Sequence, residues 1–480
     1  MVLLYVILAL IVAFLAVILI RAAMFRPPEE KERKPEEISF DREAAVTALQ
    51  ELVRCRTVSY YDPSLEDDAE FEKFIDLLPK LYPEVARVCT MTRLPGRALL
   101  FKWVGTEHSE PSVLMAHYDV VPVNEESWTK PPFDAVIDEK GVLWGRGCLD
   151  TKLTFNGIMF AANHLIAQGF KPKQDIYFAF SGGEEVNGPG APNIVGWFEE
   201  QGIRPAFVLD EGGAVVENVF PGVSRPCGLI GIAEKGMMNL ELSVASSGGH
   251  ASAPGPHTPI GILSRACCRV ENHPFKMHIT GPAREMFDTL GRHSTFLYRL
   301  IFANLWCFGG ILGNLSKKTG GELNALLRTT VAFTQASGSQ APNVIPPSAS
   351  FVANLRLNPR DTIDSVLEYI KKVVDDENVQ LTVGPNAVNP SVISELRCPA
   401  WDRVADTVVE TWPGCIVSPY LMVQCSDSRH YGRISNRVYR FSAADLTAEE
   451  RSSIHGNDEH VRVDVVKRSV EFYIRLMKKC

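Results

Sequence analysis

Five short segments of the 480-residue chain carry residue types that together could do metal and acid–base chemistry. In MAHYDVVPV, His117 and Asp119 stand two apart, so on extended backbone their side chains share a face. A histidine there can bind a metal ion while the nearby carboxylate orients its ring or a neighbouring ligand. Asp150 follows a Gly-rich turn in WGRGCLDTK, and Glu184 and Glu185 follow an apolar run in FAFSGGEEVNGPG. Asp210 lies in VLDEGG and His455 in IHGNDEH. Each segment alone also fits a plain role: a turn-forming Asp, a solvated glutamate pair, a packed histidine. As a set they carry more, because two adjacent like charges cost energy unless they have separate tasks or a cation compensates them. His117, Asp150, Glu185, Asp210 and His455 offer nitrogen and oxygen donors without thiolate, a set suited to zinc, with cobalt or manganese as substitutes. An Asp shared between two ions would hold them about 3.5–4 Å apart, the spacing of two-metal hydrolases, and Glu184 would be left over.

These residues need elements to position them. The stretches 112–115 (SVLM), 175–180 (DIYFAF) and 206–209 (AFVL) read as buried strands, and 154–168 carries a helix-length apolar pattern between the first two. That alternation argues for an α/β fold with a mostly parallel sheet. The polar candidates follow the strands, at the edge where open α/β sheets carry their ligand crevice. From Lys235 the texture changes to an alternating strand, KGMMNLELSVAS, then SGGHASAPG, FVANLRLNP, a helical pattern over 362–376 and VQLTV. That order predicts an inserted α+β domain at 236–388, with the catalytic domain split into 39–235 and 389–480.

Composition bounds the rest. With 46% hydrophobic and 22% charged residues the chain is ordinary globular material, which excludes collagen-like, disordered and disulfide-scaffold classes. The net charge of -8 is spread along the chain and leaves no basic footprint for nucleic acid. Eleven cysteines, an odd number with no C-x-x-C spacing, fit free thiols in a reducing compartment.

Residues 2–20 contain no charge and as a helix would reach roughly 28 Å, about the hydrocarbon thickness of a bilayer. This predicts a single-pass transmembrane anchor at 1–22 followed by a charged linker at 23–38. Arg21, Arg26, Lys31, Arg33 and Lys34 follow the span and no Lys or Arg precedes it, so the positive-inside rule places the body in the cytoplasm.

HYDVVPV, WGRGCLDTK, SGGEE, LDEGG, SGGHASAPG, NVIP, ANLR and IHG, in this order and spacing, resemble the M20 metallopeptidase family, in particular its carboxypeptidase S and N-acyl-amino-acid hydrolase branch. The resemblance covers nearly all of the chain after about residue 40. It implies a di-zinc exopeptidase-type catalytic domain interrupted by a smaller lid or dimerisation domain, and so a possible homodimer. It makes Asp150 the bridging carboxylate, with His117 and Asp210 on one zinc and Glu185 and His455 on the other. Glu184 would be the general base, Asp119 would stand behind His117, and His250 would polarise the scissile carbonyl. Asn343 and Arg356 match substrate-binding positions, where a guanidinium holds a free carboxylate. Two features depart from the family: Thr151 where many members carry a second Asp, and an additional apolar stretch around 295–315 that fits core packing or an acyl pocket. His430, in SDSRHY, has no assigned role.

The expected function is release of a C-terminal amino acid from small peptides. The alternative is hydrolysis or synthesis of N-acyl amino acids. A reading from another class, a catalytically silent membrane-tethered carboxylate-binding protein, would be expected to lack at least one of the six metal and base groups, and all six are present.

Overall fold

The computed structural model describes residues 1–29 and 36–480. The central part of the expected linker, 30–35, lies outside the described residues. The larger body is built on an eight-stranded sheet in the spatial order Thr90–Leu94, Ala98–Trp103, Gln174–Ser181, Glu107–His117, Phe207–Val216, Val438–Leu446, Cys227–Glu234, Ile416–Met422. Its four middle strands, from Gln174–Ser181 to Val438–Leu446, run parallel. The first three strands pair antiparallel to one another, and Cys227–Glu234 runs antiparallel to both Phe207–Val216 and Val438–Leu446, so the sheet is mixed rather than mostly parallel. At the first edge the cause is local: Leu94 pairs with Ala98, and Gly96 and Arg97 both take positive φ, which turns the chain straight back on itself.

Helix Lys152–Ala167 is buried along most of its length and packs against Val463–Lys478 and Arg42–Val53. Its Phe155 lies 4.1 Å from the Phe180 ring and also meets Phe74, which stacks on Tyr118 at 4.9 Å. This aromatic packing lies directly beneath the ends of the central strands, so it fixes where His117 and the 184–185 turn emerge.

Gly213 marks the tightest crossing in the sheet. A Cβ there would sit 1.7 Å from the Leu229 carbonyl oxygen, where strands Phe207–Val216 and Cys227–Glu234 cross. Overpacking costs about 1–3 kcal/mol, and here the obstacle is backbone rather than a movable side chain. Gly213→Ala is therefore expected to lose about 3 kcal/mol, read as a lowered denaturant midpoint with an unchanged slope.

A second, four-stranded antiparallel sheet has the order Thr330–Ser337, Ser348–Leu357, Gly236–Ala245, Gln380–Val383. Along Gly236–Ala245 buried residues alternate with more exposed ones, and Met238, Leu240 and Leu242 form a core with Leu263, Val366 and Ile370 of two covering helices. Residues within 281–327 instead join the larger body: Ala283, Phe287, Leu290, Phe302 and Leu326 cluster with Phe220 and Leu421. The apolar stretch around 295–315, expected to be core or to line an acyl pocket, is packed on one side only, because Phe296, Leu297, Trp306, Ile311 and Leu315 are exposed. Helix Val2–Met24 is long and apolar enough to cross a membrane.

Candidate active site

His117 is the last residue of its strand, and Glu184 and Glu185 open a short turn three residues beyond the neighbouring strand. Asp150 stands at the head of helix Lys152–Ala167, and His455 lies in a loop with φ of 60°, a conformation rare outside glycine. The side chains of His117, Asp150, Glu185 and His455 converge. His117 Nε2 is 3.1 Å from one Asp150 oxygen, and His455 Nε2 is 2.9 Å from the other. His455 Nε2 also lies 3.1 Å from Glu185. Asp150 thus presents one oxygen to each of two histidines.

Asp119 is fully buried and organises the turn opposite. Its carboxylate accepts the backbone N–H of Glu184 at 3.1 Å and of Glu185 at 3.2 Å, together with the Ser59 hydroxyl at 2.7 Å. The His117 Nδ1 meets the Asp119 carbonyl at 3.0 Å, which fixes the ring so that Nε2 faces Asp150.

Asp210 is not among the residues brought together at this point. Its carboxylate turns away and accepts the backbone N–H of Ser428 at 3.0 Å. Glu211 stands there instead, 3.4 Å from His117 Nε2. The cause is a bulge: pairing with strand Val438–Leu446 jumps from Asp210↔Arg440 to Gly213↔Phe441, and Gly212 takes a φ of 141°. Two inserted residues re-aim the side chains, so Glu211 rather than the expected Asp210 faces His117.

Several further residues that support the site escaped the sequence reading. Buried Glu459 accepts the backbone N–H of Leu149 at 2.8 Å and of Asp150 at 3.2 Å, and pairs with buried Arg146 at 2.6 Å. Arg146 also donates to the Gly456 carbonyl at 2.8 Å, so one ion pair ties the Asp150 turn to the His455 loop. Glu234 pairs with Arg440 and accepts from Ser426 and Ser428, while Ser181 donates to Asp427. Arg146, Glu211 and Glu459 all lie in the segments singled out above, but nothing in their type distinguishes them from solvated charges.

The smaller sheet carries the other candidates. His250 is exposed on a two-residue ladder opposite Val344, and its Nδ1 contacts the Ser252 hydroxyl at 2.7 Å. Asn343 is exposed beside it, its carbonyl accepting from the Ala251 N–H at 2.9 Å. Arg356 reaches across to the larger body, donating to the Cys425 thiol at 3.4 Å and to Asn354 at 3.2 Å. It has no ion-pair partner among the described residues. Burial and the adjacent Arg429 push His430 down to about 4, so it is neutral at physiological pH.

The electrostatics of the cluster are those of an anion-rich pocket. Burial and then Asp150 push Glu185 up to about 7, and burial does the same to Glu211. Burial, with Asp427, Glu211 and Glu185 around it, holds Glu184 well above the ordinary carboxylate range. Hydrogen bonds donated to Asp150 and Glu185 push His455 up to about 11. A divalent cation would offset this repulsion. Two donor groups, His117–Asp150–Glu211 and Asp150–Glu185–His455, each have their ligand atoms within 4.8 Å and share Asp150, and nitrogen with carboxylate oxygen suits zinc.

The profile of peptidase family M20/M25/M40 matches residues 113–479. The chain is 32% identical over a 482-residue alignment to the probable carboxypeptidase S-like 2 of Dictyostelium discoideum, covering 98% of this chain and 92% of that protein. It is 34% identical over 482 residues to the N-fatty-acyl-amino acid synthase/hydrolase PM20D1 of Xenopus tropicalis, covering 98% and 93%. In fold it is similar to the crystal structure of the M20 family metallo-carboxypeptidase Sso-CP2 from Sulfolobus solfataricus, with a TM-score of 0.67 over 90% of this chain and 98% of that one at 17% identity. Matched over this much of its length, the chain belongs to peptidase family M20/M25/M40, a family of metal-dependent hydrolases.

Proposed function

We propose that this chain hydrolyses an amide bond next to a free carboxylate and releases a C-terminal amino acid from small peptides. The observation that carries the reading is Asp150, whose two oxygens face two separate histidine–carboxylate groups. His117, Asp150 and Glu211 would hold one zinc ion, and Asp150, Glu185 and His455 a second. Bound there, the ions supply an activated water and polarise the scissile carbonyl. Glu184 takes the proton of the attacking water and delivers it to the leaving amine. Asp119 holds Glu184 and Glu185 in register through their backbone N–H groups. Arg356, free of an acidic partner among the described residues, binds the substrate carboxylate, with Asn343 beside the chain. His250 supplies the oxyanion contact from a second copy of the chain, so the active form is a homodimer.

Zinc titration separates the two neighbouring acids. Glu211→Gln is expected to leave one ion bound per chain. Asp210→Asn, one step removed from the donor atoms, is expected to keep both with about 10–100-fold weaker affinity. The reverse pattern would restore Asp210 as the ligand.

A second reading, N-acyl-amino-acid hydrolysis or the reverse condensation, is favoured by a cavity of 1030 Å³. It extends from Gly212 and Ile454, the neighbours of Glu211 and His455, to Phe220, Phe302 and Leu312. The full chain loaded with zinc should be tested on dipeptides, short N-acetyl amino acids and long-chain N-acyl amino acids beside Glu184→Ala. Glu184-dependent release of a free amino acid is expected, and the fastest substrate chooses between the two readings. No turnover with two metals bound would overturn both.

Helix Val2–Met24 anchors the protein in a bilayer, and the body faces the cytoplasm. The basic residues after the helix and eleven free cysteines support this side. Digestion of the body by protease added outside sealed cells would overturn it.

A further inference from the structure

We propose that the helix pair Phe296–Phe302 and Leu305–Thr319 is a second membrane-contact surface, seated in the bilayer beside the N-terminal helix and roofing the apolar cavity next to the active site. The inference rests on the reading of Val2–Met24 as a bilayer anchor. Its occupant is the lipid of that same bilayer, for three reasons.

The first is the surface itself. Phe296, Leu297, Trp306, Ile311 and Leu315 are 46%, 66%, 61%, 64% and 52% exposed, an apolar group of a size that soluble surfaces rarely leave uncovered. The second is attachment. Asn304, fully buried, donates to the Ile18 carbonyl at 3.0 Å, and Arg21 donates to the Ala303 carbonyl at 2.8 Å and to Asn304 Oδ1 at 3.1 Å. Trp306 packs edge-on against Phe14 with ring centroids 5.9 Å apart. Phe14 lies two turns before Arg21, roughly 10 Å along the helix axis. With Arg21 at the headgroups, Trp306 therefore stands inside the hydrocarbon boundary, and the exposed side chains around it face lipid.

The third reason is shape. The two helices meet at 99°, and the longer one, 15 residues, would reach only about 22 Å, too short to span. An apolar pair of this kind lies in the interface rather than crossing it. Lys317 and Lys318 at its end suit anionic headgroups. The inner side belongs to the body: Phe302 and Leu312 line the cavity, as does Tyr298, which is 36% exposed and so stands where the cavity meets the outside. The cavity roof is thereby held at the lipid surface, where an apolar ligand could pass from bilayer to active site without crossing water.

Tryptophan fluorescence of the full chain in vesicles containing acyl-chain-brominated lipid tests this directly. The chain has seven tryptophans, none within Val2–Met24, and Trp306 alone lies on this surface. Roughly one tryptophan's share of the emission should be quenched, and Trp306→Phe should abolish that component while circular dichroism stays unchanged. Absence of quenching in protein that resists alkaline carbonate extraction would overturn the platform and leave the anchor standing. Equal quenching in Trp306→Phe would overturn it too. Release of the protein by carbonate would overturn the anchor reading and the platform with it.

Discussion

Glu184→Ala is expected to lower kcat by roughly 10²–10⁴-fold, the usual worth of a general acid–base group, while two zinc ions per chain remain bound. The two adjacent glutamates differ in what they touch. Glu185 lies 3.1 Å from His455 and shares a donor group with Asp150, whereas Glu184 belongs to neither donor group. Glu184 is held in place by its backbone, through the Asp119 carboxylate, and its side chain faces the cluster without a hydrogen-bond partner of its own among the described residues. A carboxylate in that position is available to accept and return a proton. Glu185→Ala should show the opposite balance, with one metal equivalent lost together with activity. Steady-state kinetics beside metal analysis of the same samples distinguishes them. Unchanged turnover in Glu184→Ala with both metals in place would sink the proposed mechanism.

The largest stability effect is expected at Glu459. Both partners of its ion pair are buried, Arg146 at 2% and Glu459 at 0% exposure, and Glu459 also holds the N–H groups of Leu149 and Asp150. Removing one partner of a buried pair leaves the other charge desolvated and unpaired, at a cost of about 3–5 kcal/mol. Glu459→Ala should therefore lose that much, and metal affinity should fall about 10–100-fold as the Asp150 turn and the His455 loop come apart. Denaturation in excess chelator separates the two effects, because the folding loss persists without metal. The double variant Arg146→Met, Glu459→Met should recover part of the stability, since it removes both buried charges. Glu72→Ala is the control: its pair with Arg93 is half-exposed on both sides and should be worth under about 1 kcal/mol. A Glu459→Ala loss no larger than this control would refute the clamp.

Much of the architecture was legible because periodicity reports burial. The apolar runs at 112–115 and 175–180 lie in central strands, and the apolar pattern at 154–168 lies in the helix between them. The hairpin at the edge of the sheet was not legible, since it depends on two positive-φ residues, one of them arginine. The apolar stretch at 295–315 was readable as apolar, but not as one side core and one side exposed, because composition does not say which elements will cover a face.

At the site, residue type and order by themselves singled out His117, Asp150, Glu185 and His455, because imidazole and carboxylate beside glycine-rich strand ends have few other uses in combination. Only the tertiary structure turns Glu211, and not Asp210, toward His117, and only it brings Arg146 and Glu459 together as a clamp. A side chain's direction beyond a bulge depends on how many residues the neighbouring strand leaves unpaired. Whether a charge is buried depends on what the rest of the chain packs over it. Both are properties of contacts between segments far apart in sequence, and no local pattern of residues contains them.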